Sequence, residues 1–276
     1  AYLGKEFRGR YIKDYINKSY TNELPVFHLV GGLDELSGNP VTEDGLPNTL
    51  EQWIRRDGVY CFKIKLTGKD IYNDVSRTVD VFNVASSILQ GMGRKHLFLS
   101  TDSNEMNENP ESVVEYLLKL KEKSPAAYGA LLYIEQPTER DISNKRFNMR
   151  SIARLKPVLA DEGITSLQKF DEAMDLGWSG IALKICKGHS AALLYFCKAK
   201  HHNMIYTVQD LTNPGLSFIQ SAGFAARINP LMGVEYNSRQ YLPFASRDVQ
   251  DSFKDVFTVK DGKIRMSGIK KIGLGY

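Results

Sequence analysis

Short apolar runs recur along the chain, each closed by Gly, Pro, Asp or Asn, with stretches of helical period between them. The runs are PVFHLVGG (25–32), VYCFKIKL (59–66), HLFLSTD (96–102), ALLYIEQP (130–137), PVLAD (157–161), GIALKI (180–185), NMIYTVQD (203–210) and LMGVEYN (231–237). Between them lie TLEQWIRR, DVSRTVDVFNVASSILQGMG, SVVEYLLKLKEK, SIARLK, SLQKFDEAMDLG, HSAALLYFCKAKHH and GLSFIQSAGFAA. In these stretches apolar residues return every three or four positions, as on a helix packed by one face. Continuous apolar strands joined by helical crossovers predict parallel pairing, buried on both faces. Eight such strands and seven crossovers predict an α/β fold, a TIM-like (β/α)7β barrel; an open doubly wound sheet is the alternative. The tail VFTVKDGKIRMSGIKKIGLGY (256–276) leaves the alternation and carries its own turn, Lys260-Asp261-Gly262-Lys263, so it is expected to pack elsewhere.

Length agrees with this reading, since 276 residues suit one barrel, which takes about 250. Apolar residues are 42% and charged residues 25%, a globular composition that excludes a disordered or fibrous chain. No apolar run approaches the roughly 18 residues that span a bilayer, so no membrane partner is expected. The net charge is only +4, and no basic block interleaved with aromatics suggests nucleic acid. Cys61, Cys186 and Cys197 are odd in number and scattered. They fit buried thiols in a reducing cytoplasm rather than a disulfide framework. The start, AYLGKEFRGRYIKDY, lacks both an apolar leader segment and an initiator Met, which suits a processed or partial chain.

A barrel of this kind places its chemistry at the C-terminal ends of the strands. Strand two brings Lys63 and Lys65 there, strand three Asp102 with Asn104 beyond it, and strand four Glu135. Strand five brings Asp161 and Glu162, strand six Lys184, and strand seven Asp210. Three adjacent strands thus each deliver a carboxylate, read here as lying at one height. Crowded carboxylates repel, and a hard divalent cation with oxygen ligands relieves them. A buried lysine near such a cation is expected to have a depressed pKa and to serve as a general base. Strands two and six stand opposite each other in a ring of eight, so Lys65 and Lys184 would reach a substrate from opposite faces. Asn104 would add a neutral oxygen. Glu162 would support Asp161 from the far side of its strand. Asp210 would bind substrate, pair with Lys184 or cap the following segment.

Other polar residues read more simply. His28 and His96 are expected to be packed, and His201 and His202 to be solvated on the opposite rim. His189 stands on the rim of the site. Tyr236 and Asn237 are expected to pack, and Glu105, Glu108 and Glu111 to form a solvated loop and helix start.

Five motifs then carry a resemblance: FKIKL, TDSN, YIEQP, LADEG and ALKICKG, with Lys65, Asp102, Glu135, Asp161 and Lys184 separated by 37, 33, 26 and 23 residues. In order and content they resemble the enolase superfamily, and within it the muconate-lactonizing-enzyme-like subgroup of the mandelate racemase/muconate lactonizing enzyme family. NELPVFHLVGG (22–32) and DGKIRMSGIKKIGLGY (261–276) extend the likeness toward both ends. The resemblance implies one Mg²⁺ per site, with Mn²⁺ as the alternative ion, on Asp102, Glu135 and Asp161. It implies Lys65 and Lys184 as acid and base, assisted by Lys63, removing the α-proton of a small carboxylate substrate to give an enediolate. It implies residues 25–250 as the catalytic barrel and 1–24 as the last helices of an otherwise absent N-terminal α+β capping domain. Residues 251–276 would return toward that cap, and a cytoplasmic homo-oligomer is expected. Racemisation, epimerisation or cycloisomerisation suits a lysine on each face. The alternatives are a dehydratase (a lyase), including the o-succinylbenzoate synthase type, and a barrel kept as a binding or assembly module. VQDLTNPG departs from the subgroup's pattern, and no Asp-x-Asp of the dipeptide epimerase kind follows strand seven.

Overall fold

The computed structural model describes residues 3–269. Eight parallel strands close into a barrel: β1 (Glu23–Val30), β2 (Cys61–Lys65), β3 (Phe98–Asp102), β4 (Leu131–Glu135), β5 (Val158–Ala160), β6 (Gly180–Leu183), β7 (Ile205–Val208) and β8 (Val234–Glu235). β1 pairs with both β2 and β8, and this closure rules out the open sheet. Each of the eight apolar runs holds one strand, β1 starting at Glu23 just ahead of its run, and the observed strands stop short of the polar residues that end several runs. A ninth strand, β9 (Lys263–Arg265), lies antiparallel on Glu23–Pro25 at the N-terminal end of β1.

Strand residues alternate between the barrel interior and the surrounding helices. Phe27, Cys61, Tyr133, Leu159 and Met232 form one cluster that fills the lower barrel, so it has a packed floor and no pore. The outward residues join a larger core beneath the helices, with Ile54, Leu89, Leu117, Phe170, Phe196 and Ile219 buried in it.

The helices start where side chains satisfy their free N–H groups. Thr49 and Gln52 form a capping box at Leu50–Asp57, Asp70 caps Ile71–Gly91, and Ser166 caps Leu167–Asp175. Asn109 caps Pro110–Lys123, whose first residue is proline. Each of these helices follows a strand, so its N-terminus faces the rim where the strands end. After β8 the described chain makes only single-turn helices, beginning with Ser238–Tyr241, as a (β/α)7β barrel requires. Arg239 from that turn pairs with Asp57, donates to His28 Nδ1 at 2.9 Å and lies 4.6 Å from the Trp53 ring centroid. Burial and the Arg239 charge keep the His28 pKa well below its usual value.

Several expectations change. Residues 3–22 form two single 3₁₀ turns, Lys5–Phe7 and Ile12–Asp14, where helices were expected over 1–24. Gly4 and Gly9, with φ of 116° and 77°, interrupt any longer helical run there. His201 and His202 are partly covered rather than solvated, because Phe7 packs 4.4 Å from the His201 ring and Tyr15 bonds its Nδ1 at 3.2 Å. His96 is exposed and stacks on Phe98, and Cys186 is exposed while Cys61 and Cys197 are buried. Met266 N–H donates to the Asn22 carbonyl, so the described part of 251–276 joins the N-terminal segment. Residues 1–2 and 270–276 of the two end segments lie outside the described residues. No helix among the described residues is long and apolar enough to cross a membrane.

Gly233 marks the tightest approach in the closure, with φ of 83° and a Cβ position that would overlap the Pro25 carbonyl oxygen. Gly233→Ala is expected to destabilise the fold by at least about 2 kcal/mol, from positive φ and steric overlap together. Urea unfolding checks this, and an unchanged midpoint would show that β8 relaxes at no cost.

Candidate active site

Lys65, Asp102 and Glu135 are successive register partners across β2, β3 and β4. The next pairing sets Glu135 against Leu159, so Asp161 lies two residues further along its strand. The trio is therefore staggered by the shear of the barrel and does not share one height. All three carboxylates are buried.

Lysine ammoniums stand between them. Lys63, only 3% exposed, donates to Glu135 Oε1 at 2.8 Å and lies 3.3 Å from Asp102 Oδ2. Lys65 reaches the same Asp102 oxygen at 2.5 Å and Asn104 Oδ1 at 2.7 Å. Lys184 pairs with Asp161 Oδ2, and Lys187 lies 3.1 Å from Asp161 Oδ1. Lys65 and Lys184, from opposite strands of the ring, thus take opposite ends of one chain of carboxylates.

The charges set one another. Burial opposes ionisation of Asp102 and Asp161, but adjacent lysines outweigh it and lower both pKa values. Glu135 is pushed up to about 8 by burial, with Asp102 and Asp161 adding to the rise and Lys63 opposing it. Burial would lower Lys63 and Lys184, yet their carboxylate partners raise both. The expected depression of a buried lysine is reversed here, because each ammonium sits directly on an acid.

Among the described residues, no group of three His, Cys, Asp or Glu side chains could hold a metal ion in the observed arrangement. The donor set nevertheless suits a hard cation in kind: three carboxylates from adjacent strands, one of them pushed toward neutrality by burial, with its carboxylate neighbours adding to the rise. The ammonium contacts mark the ground for which such a cation would compete.

Two inward residues went unrecognised in the sequence. Gln209 accepts from Lys63 at 3.1 Å and donates to Glu135 Oε2 at 2.5 Å. Glu235 at the end of β8 lies 3.5 Å from Lys63. The signal was strand phase: Thr207 and Gln209 share a face, whereas the more conspicuous Asp210 points elsewhere. Asp210 ties loops together by accepting the backbone N–H of Asn213 at 2.6 Å and of Asn237 at 2.9 Å. Burial pushes its pKa up to about 6, with Glu235 contributing. Gln136 was also missed. Its buried side-chain oxygen accepts the Asp161 N–H at 2.8 Å and the Gly163 N–H at 3.2 Å, fixing the loop that carries Asp161.

The remaining candidates fall into place around this centre. Glu162 is partly buried beside Asp161, and burial raises its pKa. It lines a cavity of about 510 Å³ that also touches Asp161 and Lys184. His189 turns away to Gln220 at 2.8 Å. Tyr236 stacks on Phe218 with centroids 3.8 Å apart, and Asn237 is buried behind it. Glu105 is held by Arg140 rather than solvated.

No protein-family model and no curated protein matches the chain. Solved structures do match. A muconate lactonizing enzyme from Mucobacterium Smegmatis superposes with a TM-score of 0.63 at 15% identity, covering 89% of this chain and 62% of that one. A muconate cycloisomerase from Pseudomonas fluorescens gives 0.66 at 17% identity, covering 95% and 67%. An L-Ala-D/L-Glu epimerase from Bacillus subtilis gives 0.58 at 19% identity, covering 79% and 55%. The barrel fold is common to all of them, and this chain spans about 62% of the length of the first.

The Glu135 pKa makes a pH prediction for the protein in EDTA. An acid raised from 4.5 to about 8 on folding stabilises the fold fully below pH 4.5, and that stabilisation is lost as pH rises toward 8. Glu135→Gln imitates the protonated acid. Between pH 5 and 8.5 the urea midpoint of the native chain is expected to fall relative to that of the variant. Parallel curves would mean that Glu135 is already ionised at pH 5.

Proposed function

We propose that this chain is the barrel of an enolase-superfamily enzyme that removes the proton α to a carboxylate. The observation that carries the proposal is the placement of Lys65 and Lys184, from opposite strands, on the two ends of one buried carboxylate trio. The motif resemblance supports the same reading, as does a barrel fold shared with structures described as cycloisomerases and an epimerase.

Asp102, Glu135 and Asp161 would hold a Mg²⁺ ion. When bound, it would take over these carboxylates from the ammoniums, ease loss of a proton from the lysines and acidify the α C–H of a carboxylate substrate. Lys65 as the free amine takes the α-proton at Nζ from one face. Lys184 as the ammonium returns a proton from the other, inverting the carbon. With the roles exchanged, the reverse reaction follows. Lys63 keeps its contacts with Glu135 and Gln209 and balances the charge beneath. Its nearness also disfavours the charged form of Lys184. A lysine on each face favours racemisation, epimerisation or cycloisomerisation over simple water loss.

Two measurements test this. Mg²⁺ is expected to raise the melting temperature more at pH 8.5 than at pH 5.5, because Glu135 must lose its proton to serve as a ligand. Asp161→Asn should remove that gain, and equal shifts in variant and native chain would put the ion elsewhere. With Mg²⁺ in D₂O, a panel of α-substituted carboxylates should exchange the α-proton. Lys65→Ala and Lys184→Ala should each slow exchange about 10²–10⁴-fold on the face they serve. Exchange that survives both substitutions would sink the assignment.

A further inference from the structure

We propose that the cavity beside Lys184 receives an uncharged, mainly apolar substituent of the carboxylate substrate. The inference rests on the α-proton reading for one end of the substrate and adds what lies at the other. The cavity encloses about 510 Å³, within the range of about 300–1,000 Å³ for small-molecule sites. It shares Asp161 and Lys184 with the carboxylate centre, so the two adjoin. Ile164, Ile181, Ala191, Ala192, Tyr195 and Leu211 line the part beyond.

The cations at its mouth are already matched. Arg140 is held by Glu105 through contacts of 2.9 and 2.5 Å, and Lys187 by Asp161 at 3.1 Å. An anionic substituent would compete with Glu105 and Asp161 and face Glu162. A cationic one would lie among Lys184, Lys187 and Arg140. A neutral group avoids both costs and gains from apolar contact.

Calorimetric titration of the full chain with Mg²⁺ tests the proposal. The probes are alanine bearing N-acetyl, N-butanoyl or N-hexanoyl chains, with N-succinyl and N-aminohexanoyl chains as charged comparators. Affinity should rise about fourfold for each added methylene, and both charged chains should bind more weakly than hexanoyl. Ala191→Trp fills the cavity, and Leu211→Asp charges its half-exposed wall without touching the core. Each should flatten the series while far-UV circular dichroism stays native. A flat series in the native chain, a charged chain binding as tightly as hexanoyl, or a series untouched by Leu211→Asp would overturn the assignment. α-Deuterium exchange on the same probes separates the two readings. Steep binding without exchange keeps the cavity and removes the proton abstraction. Exchange without chain-length dependence removes only the cavity.

Discussion

Everything at the mouth of this barrel depends on one constraint: carboxylates withdrawn from water must find positive charge. Asp102, Glu135 and Asp161 leave adjacent strands and point into a space almost closed to solvent. Three like charges in that setting are tolerable only if compensated or partly protonated. The protein does both. Lys63, Lys65 and Lys184 supply ammoniums, and Glu135 moves toward its neutral form. Such a network adds little net stability over an apolar core of the same volume, since desolvation consumes most of the Coulombic gain. Its presence on top of a well-packed apolar floor is therefore an argument for chemistry.

The supporting structure serves this network. The floor of Phe27, Cys61, Tyr133, Leu159 and Met232 keeps water out from below. Gln136 and Asp210 join neighbouring loops by accepting backbone N–H groups, so the strand ends are held from the side. Arg239, paired with Asp57 and His28, closes the edge where no full helix follows β8. These are polar contacts between segments far apart in the chain. They hold the lysines and acids at fixed separations.

Solved cycloisomerases and an epimerase share this barrel fold. Those structures are longer than this chain, and identities of 15–19% attest the barrel alone. Beside this chain's carboxylate centre, on the Lys184 side, lies a largely apolar cavity.

Much of the barrel and its centre is legible in the order of residues alone. Apolar runs of strand length, separated by helical periods, specify eight parallel strands because burial on both faces leaves no other composition. The acids and lysines are conspicuous because charged residues closing apolar strands are costly to bury, although one of them, Asp210, serves to tie loops. Strand phase tells only which residues share a face, and stagger is not legible at all. Which of Gln209 and Asp210 faces inward, and that Asp161 rides higher than Glu135, follow from register and shear, which exist only once the ring closes. The sign of the lysine pKa shifts is equally hidden. Strand position puts Lys63 and Lys184 in a buried centre, but only the folded distances decide that carboxylate contact outweighs desolvation. Residue type and order determined the chemistry available. Tertiary structure decided its geometry and charge state, because electrostatic energy depends on separation and burial, and neither is a property of the sequence read in one dimension.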